Sequence, residues 1–249
     1  MFKILGSQFK GWVVSITLVL SALLLVPAPT MAATAVSLDS SNSSVNVATV
    51  YKVDKADQEK MLSNVLKSTQ ADLPAAKGFI NAAILNDRDE SEIIALSQWQ
   101  DLPSFQTYIK QRSPNSSVGV ASPLENRNAT QTFACQVQHT ETRATSPSVS
   151  QGDVIQFSQF KMKPNKEQSE LAMVVSQMMP GVLQMSSGLQ WAAMCPSTDK
   201  STIALLARWQ SRGDFESLGK EPGFDKETNY WQTYANNEHG LYDVVKVIR

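Results

Sequence analysis

Three residues recur along this chain at fixed spacing, and this internal repeat constrains the fold more than any other feature of the sequence. The two sets, in order, are Gly78, Trp99 and Phe105, then Gly188, Trp209 and Phe215. In each set 21 residues separate glycine from tryptophan and 6 separate tryptophan from phenylalanine, so the copies are in register at an offset of 110 residues. Self-similarity at a fixed period indicates duplicated structural units. The sequence therefore predicts two copies of one small domain.

The local patterns predict the same order of strands and helices in both copies. Residues 45–53 and 154–162 are rich in β-branched side chains and predict the first strands. Apolar residues at helical spacing follow, and Pro74 and Pro180 are expected near the ends of these helices. The remaining predicted elements are a hairpin (78–86 with 92–100, or 188–195 with 202–210), a second helix starting at Pro103 or Gly213, and a closing strand (131–138 or 241–248). This β-α-β-β-α-β order is the split βαβ, ferredoxin-like motif.

The N-terminal segment has the features of a secretory signal peptide. Two lysines precede an apolar run over residues 12–26, and small residues surround candidate cleavage sites after Ala32 or Ala35. The apolar run has 15 residues, whereas a membrane-spanning helix needs about 20. We therefore expect residues 1–35 to be a signal peptide. The mature protein is then secreted or periplasmic and does not associate with a membrane.

The repeat and the linker composition predict the domain boundaries of the mature chain. Residues 36–44 are Ser/Asn-rich and are expected to form a disordered leader. The first copy spans 45–142, a Ser/Thr/Pro-rich linker spans 143–152, and the second copy spans 153–249. A Ser/Pro/Asn-rich stretch over 113–128 predicts a shorter or displaced second helix in the first copy.

The charge of the mature chain argues against a nucleic-acid partner. Removing the signal peptide removes two lysines, which leaves 20 basic and 23 acidic residues and changes the net charge from −1 to −3. Proteins that bind nucleic acid carry basic patches. We therefore expect no nucleic-acid partner.

The repeated residues and the predicted strand order resemble those of the antibiotic-biosynthesis-monooxygenase (ABM) type domain of the dimeric α+β barrel superfamily. The resemblance is carried by the glycine that opens one strand, the Trp-Gln pair that closes the next, the phenylalanine six residues on, and the closing sequence over 238–245. It implies an α+β fold in which two ferredoxin-like (split βαβ) repeats pack as an intramolecular dimeric α+β barrel. The first strands are apolar on both faces, which favours such packing. The mature protein is expected to be a monomer with an internal pseudo-dimer.

The resemblance also implies a chemistry, namely cofactor-independent oxygenation of a small aromatic or quinone-like molecule, with no cofactor and no metal. Quinone-forming members of the superfamily have an asparagine four residues before the tryptophan and a tyrosine six residues after it. In this chain the first position holds Ala95 or Leu205, and the second holds Phe105 or Phe215. An amide donor and a phenol are thus replaced by apolar side chains in both copies, which argues against that mechanism.

Several residues are candidates for a ligand pocket in the two copies: Trp99, Phe105, Tyr108, Trp209, Phe215 and Tyr51. The tryptophans either wall a pocket for a flat aromatic ligand or are core residues at strand ends. A second aromatic group has the same two interpretations, as a lid or as a packed helix face: Tyr230, Trp231 and Tyr234. Polar groups on other strands can replace the missing donors, the nearest being Ser97, Gln98, Tyr51, Ser158 and Arg208.

The resemblance further predicts one disulfide. The closing strand in this superfamily often crosses to the partner subunit; Cys135 lies in the closing strand of the first copy, and Cys195 ends a strand of the second. Exported proteins can keep disulfides. We therefore expect a Cys135–Cys195 bridge.

Two function classes stay open at this point. The first is an exported, monooxygenase-like enzyme that acts on or binds a small aromatic molecule. The second is a non-catalytic extracytoplasmic binding or stress protein that has lost the polar catalytic residues.

Overall fold

The computed structural model describes residues 35–89, 91–112, 129–143, 146–218, 220 and 229–249. The predicted signal peptide lies outside these ranges apart from Ala35, and so do Ser113–Asn128, the loop predicted to displace the second helix. Within the described ranges, no helix has the length and apolar character required to cross a membrane.

The described residues form eleven strands and four α-helices. In chain order these are β1 (Ala35–Ser37), β2 (Val45–Lys52), α1 (Gln58–Asp72), β3 (Phe79–Asp87), β4 (Glu92–Trp99), α2 (Leu102–Arg112), β5 (Ala129–Cys135), β6 (His139–Thr142), β7 (Ser148–Ser150), β8 (Val154–Met162), α3 (Gln168–Met185), β9 (Leu189–Pro196), β10 (Thr202–Trp209), α4 (Arg212–Leu218) and β11 (Ala235–Ile248). Two 3-10 turns, Lys55–Asp57 and Asn229–Thr233, precede α1 and β11.

One antiparallel sheet of nine strands joins both halves of the chain. Its order is β5-β2-β4-β3-β11-β8-β10-β9-β6. We call β2–β6 with α1 and α2 the first half, and β8–β11 with α3 and α4 the second half. The four main strands of the first half lie in the order β5-β2-β4-β3, and those of the second half lie in the order β11-β8-β10-β9. In both halves this is the strand order of the split βαβ motif. The predicted α+β class and ferredoxin-like halves are confirmed.

The closing strand of each half crosses to the other half. The first part of β11 pairs with β8 of its own half, and the part from Tyr242 to Ile248 pairs with β3 of the first half. In the same way β5 pairs with β2, and β6 pairs with β9 of the second half. Because β5 and β6 are consecutive and occupy the two ends of the strand order, the sheet closes on itself as a barrel within one chain.

The two faces of the sheet bury different sets of side chains. One apolar cluster draws on strands of both halves and on no helix; its large members include Phe133, Phe157, Trp191 and Tyr242. Three further clusters combine alternate strand residues with helix residues, for example Leu171, Val175 and Met179 of α3. The first cluster is the barrel interior, and the helices cover the outer face.

The repeated glycines allow the second helix of each half to approach the sheet closely. A Cβ atom on Gly78 would lie 2.5 Å from Cβ of Ser104 in α2, and one on Gly188 would lie 2.2 Å from Cβ of Asp214 in α4. No real Cβ contact is that short, so a larger residue would displace the helix. Gly78 also has a φ of 84°, a conformation that favours glycine.

The rest of the repeated pattern belongs to the same structural unit. The backbone N–H of Gln100 donates to the carbonyl of Gly78 over 2.7 Å, and that of Gln210 to Gly188 over 2.8 Å. The tryptophan and phenylalanine rings of each half have centroids 5.5 Å apart. The repeat thus marks the place where the second helix packs on the end of a β-hairpin.

The leader and the linker are more ordered than the sequence predicts. β1 in the predicted disordered leader pairs with β7 in the predicted linker, and this two-stranded sheet contributes Val36, Leu38 and Val149 to the barrel interior. Ala35 and Ser37 carbonyls accept hydrogen bonds from Asn81 and Gln98. Composition missed these strands because each has three residues and the partner lies more than 100 residues away.

Two predictions about the helices are wrong in part. Pro74 lies just beyond α1 as predicted, but Pro180 lies inside α3, which continues to Met185. The helix continues because Val182 and Leu183 pack on the sheet beyond the proline, and Arg143 binds the carbonyls of Leu183 and Ser186 at its end. The second helix is longer in the first half, with 11 residues in α2 against 7 in α4.

A disulfide joins Cys135 at the end of β5 to Cys195 in β9, with Cα atoms 5.4 Å apart. This is the pair that the sequence predicts. Cys135 also forms a β-bridge with Ser197, so the bond lies where the closing strand of the first half meets the second half. We call this place the β5–β9 seam and the pairing of β11 with β3 the β11–β3 seam.

Candidate functional site

The second half encloses a cavity of about 420 Å³ between the outer face of the sheet, α3, α4 and the turn before β11. Its apolar lining is mostly aromatic and aliphatic: Phe160, Met179, Val182, Leu189, Ala192, Leu205, Ala207, Trp209, Phe215, Leu218, Tyr230 and Trp231. Its polar lining is small: Gln156, Ser158, Glu216, Asn237 and His239. The cavity is the candidate functional site.

Two pairs of packed aromatic rings contribute to the walls of the cavity. The Trp209 and Phe215 centroids are 5.5 Å apart with an interplanar angle of 74°, and those of Phe160 and Trp231 are 5.9 Å apart at 60°. Tyr230 precedes Trp231 in the same 3-10 turn, and burial raises the pKa of its hydroxyl to about 12. Tyr230 and Trp231 line the cavity, and both also pack against the apolar cluster of the second half.

The polar groups lie mainly on two neighbouring strands, β8 and β11. Trp209 Nε1–H donates to Gln156 Oε1 over 3.0 Å, and Gln156 Nε2–H donates to Ser158 Oγ over 3.1 Å. Asn237 and His239 alternate on β11, so they share one face of the strand, and His239 is paired directly with Ser158. The cavity therefore has aromatic walls and one polar edge.

The first half holds the equivalent residues in a packed cluster. Trp99 is fully buried, and its ring centroid lies 5.1 Å from Tyr108, 5.5 Å from Phe105 and 5.7 Å from Phe79. Trp99 Nε1–H donates to Ser97 Oγ over 3.0 Å. These rings pack directly against one another. The described structure therefore supports the core interpretation for Trp99, Phe105 and Tyr108. It supports the pocket interpretation for Trp209 and Phe215.

Side-chain volume explains the difference between the halves. At the offset of 110 residues, Tyr108 corresponds to Leu218, and Phe79 corresponds to Leu189. In the first half both aromatic rings pack against Trp99, whereas the two leucines leave space beside Trp209. The remaining pocket candidate, Tyr51, is fully buried in a cluster with α1 and lies away from these rings.

Of the polar residues predicted to replace the missing donors, Ser158 reaches the cavity. Ser97 binds Trp99, Gln98 binds Asn46 and the Ser37 carbonyl, and Arg208 pairs with Asp153. Sequence reasoning missed Asn237 and His239. Their alternation with Leu241 is the period-two signal that could have identified them as one face of a strand.

The described residues contain no group of three or more His, Cys, Asp or Glu side chains arranged to hold a metal ion.

Comparison with known proteins gives matches in structure. No family model and no curated protein matches this chain. The structure is similar to that of an anthrone oxidase-like protein, with a TM-score of 0.68 and 13% identity over 84% of this chain and 94% of the other. It is also similar to a candidate monooxygenase from Fusobacterium nucleatum subsp. nucleatum (TM-score 0.53, 12% identity, 83% and 94% covered) and to one from Lactobacillus acidophilus NCFM (0.50, 10%, 82% and 95%). The predicted resemblance is confirmed at the level of the fold.

Proposed function

We propose that the second half of this protein binds a flat, largely apolar aromatic molecule of the quinone or anthrone class. The observation that carries the proposal is the cavity of about 420 Å³ walled by Trp209, Phe215, Phe160 and Trp231. Small-molecule sites typically have volumes of about 300–1,000 Å³, with apolar walls and few polar groups. Aromatic walls favour a planar ligand because rings stack or pack edge to face.

The polar edge indicates that the ligand also carries oxygen. Gln156, Ser158, Asn237 and His239 offer hydrogen-bonding groups on one side of an otherwise apolar space. The side-chain oxygen of Asn237 is buried and has no hydrogen-bond partner among the described residues, and a purely hydrocarbon ligand would leave it so, at a cost of about 1–3 kcal/mol. A structural relative is described as anthrone oxidase-like, which makes anthrones and their quinones the first ligands to test.

We further propose that the protein acts outside the cytoplasm as a monomer with two domains, 45–142 and 153–249. The sequence features of residues 1–35 support export, and a disulfide is consistent with an oxidising compartment. Pairing between the halves supports a monomer, because β11 pairs with β3 and β6 pairs with β9 within one chain.

Binding is favoured over oxygenation because the positions that supply donors in the quinone-forming enzymes are apolar. Leu205 and Phe215 line the cavity where an amide and a phenol are expected from the resemblance. Losing one donor to a developing oxyanion typically costs on the order of a hundredfold in rate. The second candidate, a cofactor-independent oxygenase, is favoured by Ser158 and His239, which place other polar groups beside the cavity.

Tryptophan fluorescence and oxygen uptake separate these two functions. We expect anthraquinone to quench the fluorescence of the mature protein with saturation, and Leu218→Trp, which fills the cavity, to weaken binding by at least about tenfold. We expect oxygen uptake with an anthrone to equal that of the buffer blank. Uptake that is abolished by Leu218→Trp but not by the matched Tyr108→Trp would establish the oxygenase instead, and the absence of saturable quenching would refute binding.

A further inference from the structure

The hydrogen bonds at the polar edge of the cavity run in one direction. Trp209 donates to Gln156, and Gln156 donates to Ser158. Trp209 has a donor and no acceptor, so the direction of the first bond is fixed by chemistry. The Ser158 oxygen is therefore an acceptor from Gln156 and keeps its own O–H to donate. This chain of bonds ends in a donor at the cavity wall.

His239 stands directly across from that donor. The two residues are opposite each other on antiparallel strands β8 and β11, so their Cβ atoms are about 4.5–5.5 Å apart on the same face. The imidazole also packs edge-on against Phe215, with centroids 6.5 Å apart. An oxygen atom of a ligand stacked on Phe215 can therefore contact both Ser158 and His239.

His239 is the group in this lining that is suited to accept a proton. Three lining residues can ionise, namely Glu216, Tyr230 and His239. The Glu216 carboxylate already accepts from Arg212 Nε over 2.6 Å and is largely exposed. The Tyr230 hydroxyl keeps its proton at neutral pH because burial raises its pKa to about 12. The neutral imidazole of His239 has one ring nitrogen with a lone pair that can accept a proton.

His239 also borders a second space, which is acidic. A cavity of about 140 Å³ is lined by His239 together with Asp87, Asp89, Glu92 and Glu238. Each of these carboxylates has a partner: Ser91 donates to Asp87, Arg212 pairs with Asp89, Tyr242 donates to Glu92, and Lys161 pairs with Glu238 over 2.7 Å. The imidazole therefore lies between the apolar cavity and a polar, acidic surface, and its side chain is exposed.

We propose that His239 removes the proton from a phenolic hydroxyl of the bound ligand and that Ser158 donates a hydrogen bond to the resulting oxygen anion. The ligand O–H bond breaks, its electron pair stays on oxygen, and an N–H bond forms on the imidazole. The proton then passes to water, because His239 is exposed. This inference rests on the proposed function, and it identifies the ligand class as acidic phenols and enols of fused aromatic rings.

The test uses 1,2-dihydroxyanthraquinone, whose neutral and ionised forms differ in visible absorption. Binding is followed by tryptophan quenching, and ionisation of the bound dye by absorbance across a pH titration. We expect the bound dye to ionise at a pH at least about one unit lower than the free dye, a tenfold shift in ionisation. His239→Gln should remove this shift, Ser158→Ala should reduce it, and Ser158→Thr, which keeps the hydroxyl, should restore it.

His139→Gln is the matched control, because the other histidine of the chain lies on β6 and pairs with Glu141 instead of lining the cavity. It should leave the shift unchanged. Saturable quenching without a shift, or a shift that survives in His239→Gln, would overturn the inference while leaving the proposed function intact. No quenching in the unmodified protein would overturn the proposed function and this inference with it. Thermal melting of each variant reports whether it has folded.

Discussion

The two halves of this molecule share one strand order and one repeated pattern, but the surroundings of their tryptophans differ. In the first half three aromatic rings pack against Trp99, whereas in the second half a cavity lies beside Trp209. Trp99 and Trp209 have the same backbone position, and each packs against a phenylalanine six residues on. Two neighbouring positions differ: Phe79 and Tyr108 in the first half correspond to Leu189 and Leu218 in the second. The repeated residues therefore maintain the packing of the second helix. The ligand site depends on residues outside the repeat.

Replacing each tryptophan by alanine should give the largest effect and separate the two roles. Trp99→Ala should lower the free energy of unfolding by about 3–5 kcal/mol, because three neighbouring rings lose contacts in a dense cluster. Trp209→Ala should cost about 1 kcal/mol less, since its ring already borders a cavity, and should weaken ligand binding. Urea unfolding and fluorescence titration measure the two effects. Equal binding losses in both variants would contradict the comparison.

The second comparison concerns the two seams of the barrel. The β5–β9 seam carries the disulfide, whereas at the β11–β3 seam the corresponding strand carries Tyr242, whose hydroxyl donates to Glu92 over 2.7 Å. Replacing both cysteines by alanine should lower stability by up to about 4 kcal/mol, the chain-entropy value for a loop of this length. For the unmodified protein, the free energies of unfolding measured without and with a reductant should differ by a similar amount. Two titratable thiols in the unfolded, unreduced protein would show that the bond is absent.

Much of this fold can be predicted from the sequence, and the misses have a common cause. The strands of the two hairpins were predicted to within one residue because mostly apolar runs, bounded by a glycine and a polar turn, mark them. β11 begins six residues before its predicted start, in the polar sequence over 235–240. Those six residues form a strand because they provide six of the nine pairs between β11 and β8, a partner that no local pattern reveals.

The same limit applies to the site. Trp209 and Phe215 were predicted for a pocket from their resemblance to a known arrangement. Asn237 and His239 precede the closing strand predicted over 241–248, and neither was predicted for the pocket. The difference between the halves could not be predicted from the sequence either, because it depends on which side chain fills a space that only the folded structure defines.

Exchanging the residues at one position should convert each half toward the other. Tyr108→Leu should open space beside Trp99 and cost about 2–3 kcal/mol, as other losses of a large buried side chain do. Leu218→Tyr should fill the second-half cavity, change stability by about 1 kcal/mol or less, and reduce ligand affinity by at least about tenfold. Ligand binding that survives unchanged in Leu218→Tyr would contradict the assignment of the site.

The smallest expected effect is the pH dependence of the β11–β3 seam. Burial and the neighbouring Glu92 carboxylate raise the pKa of Tyr242 above its ordinary value of 10.0. The folded protein keeps this proton where the unfolded chain releases it, so the stabilisation is complete below pH 10 and is lost as the pH rises above it. We expect a loss of about 1 kcal/mol between pH 10 and 11.

Tyr242→Phe should flatten this dependence without abolishing it, because burial also raises the pKa values of Tyr108 and Tyr230. Urea unfolding at a series of fixed pH values measures how the free energy of unfolding changes with pH. At pH 7 the difference in this free energy between Tyr242→Phe and the unmodified protein measures the loss of the hydroxyl by itself. An unchanged slope in Tyr242→Phe would show that the seam does not contribute.

The crossing of β11 determines when the chain can fold. Until residues 235–248 have been synthesised and released, β3 and β8 each have one edge without a partner, and the barrel cannot close. Pairing over such sequence separations is slow, and exposed strand edges recruit other chains. The barrel therefore closes only after β11 has emerged, and a nascent chain that lacks β11 is the species most exposed to aggregation.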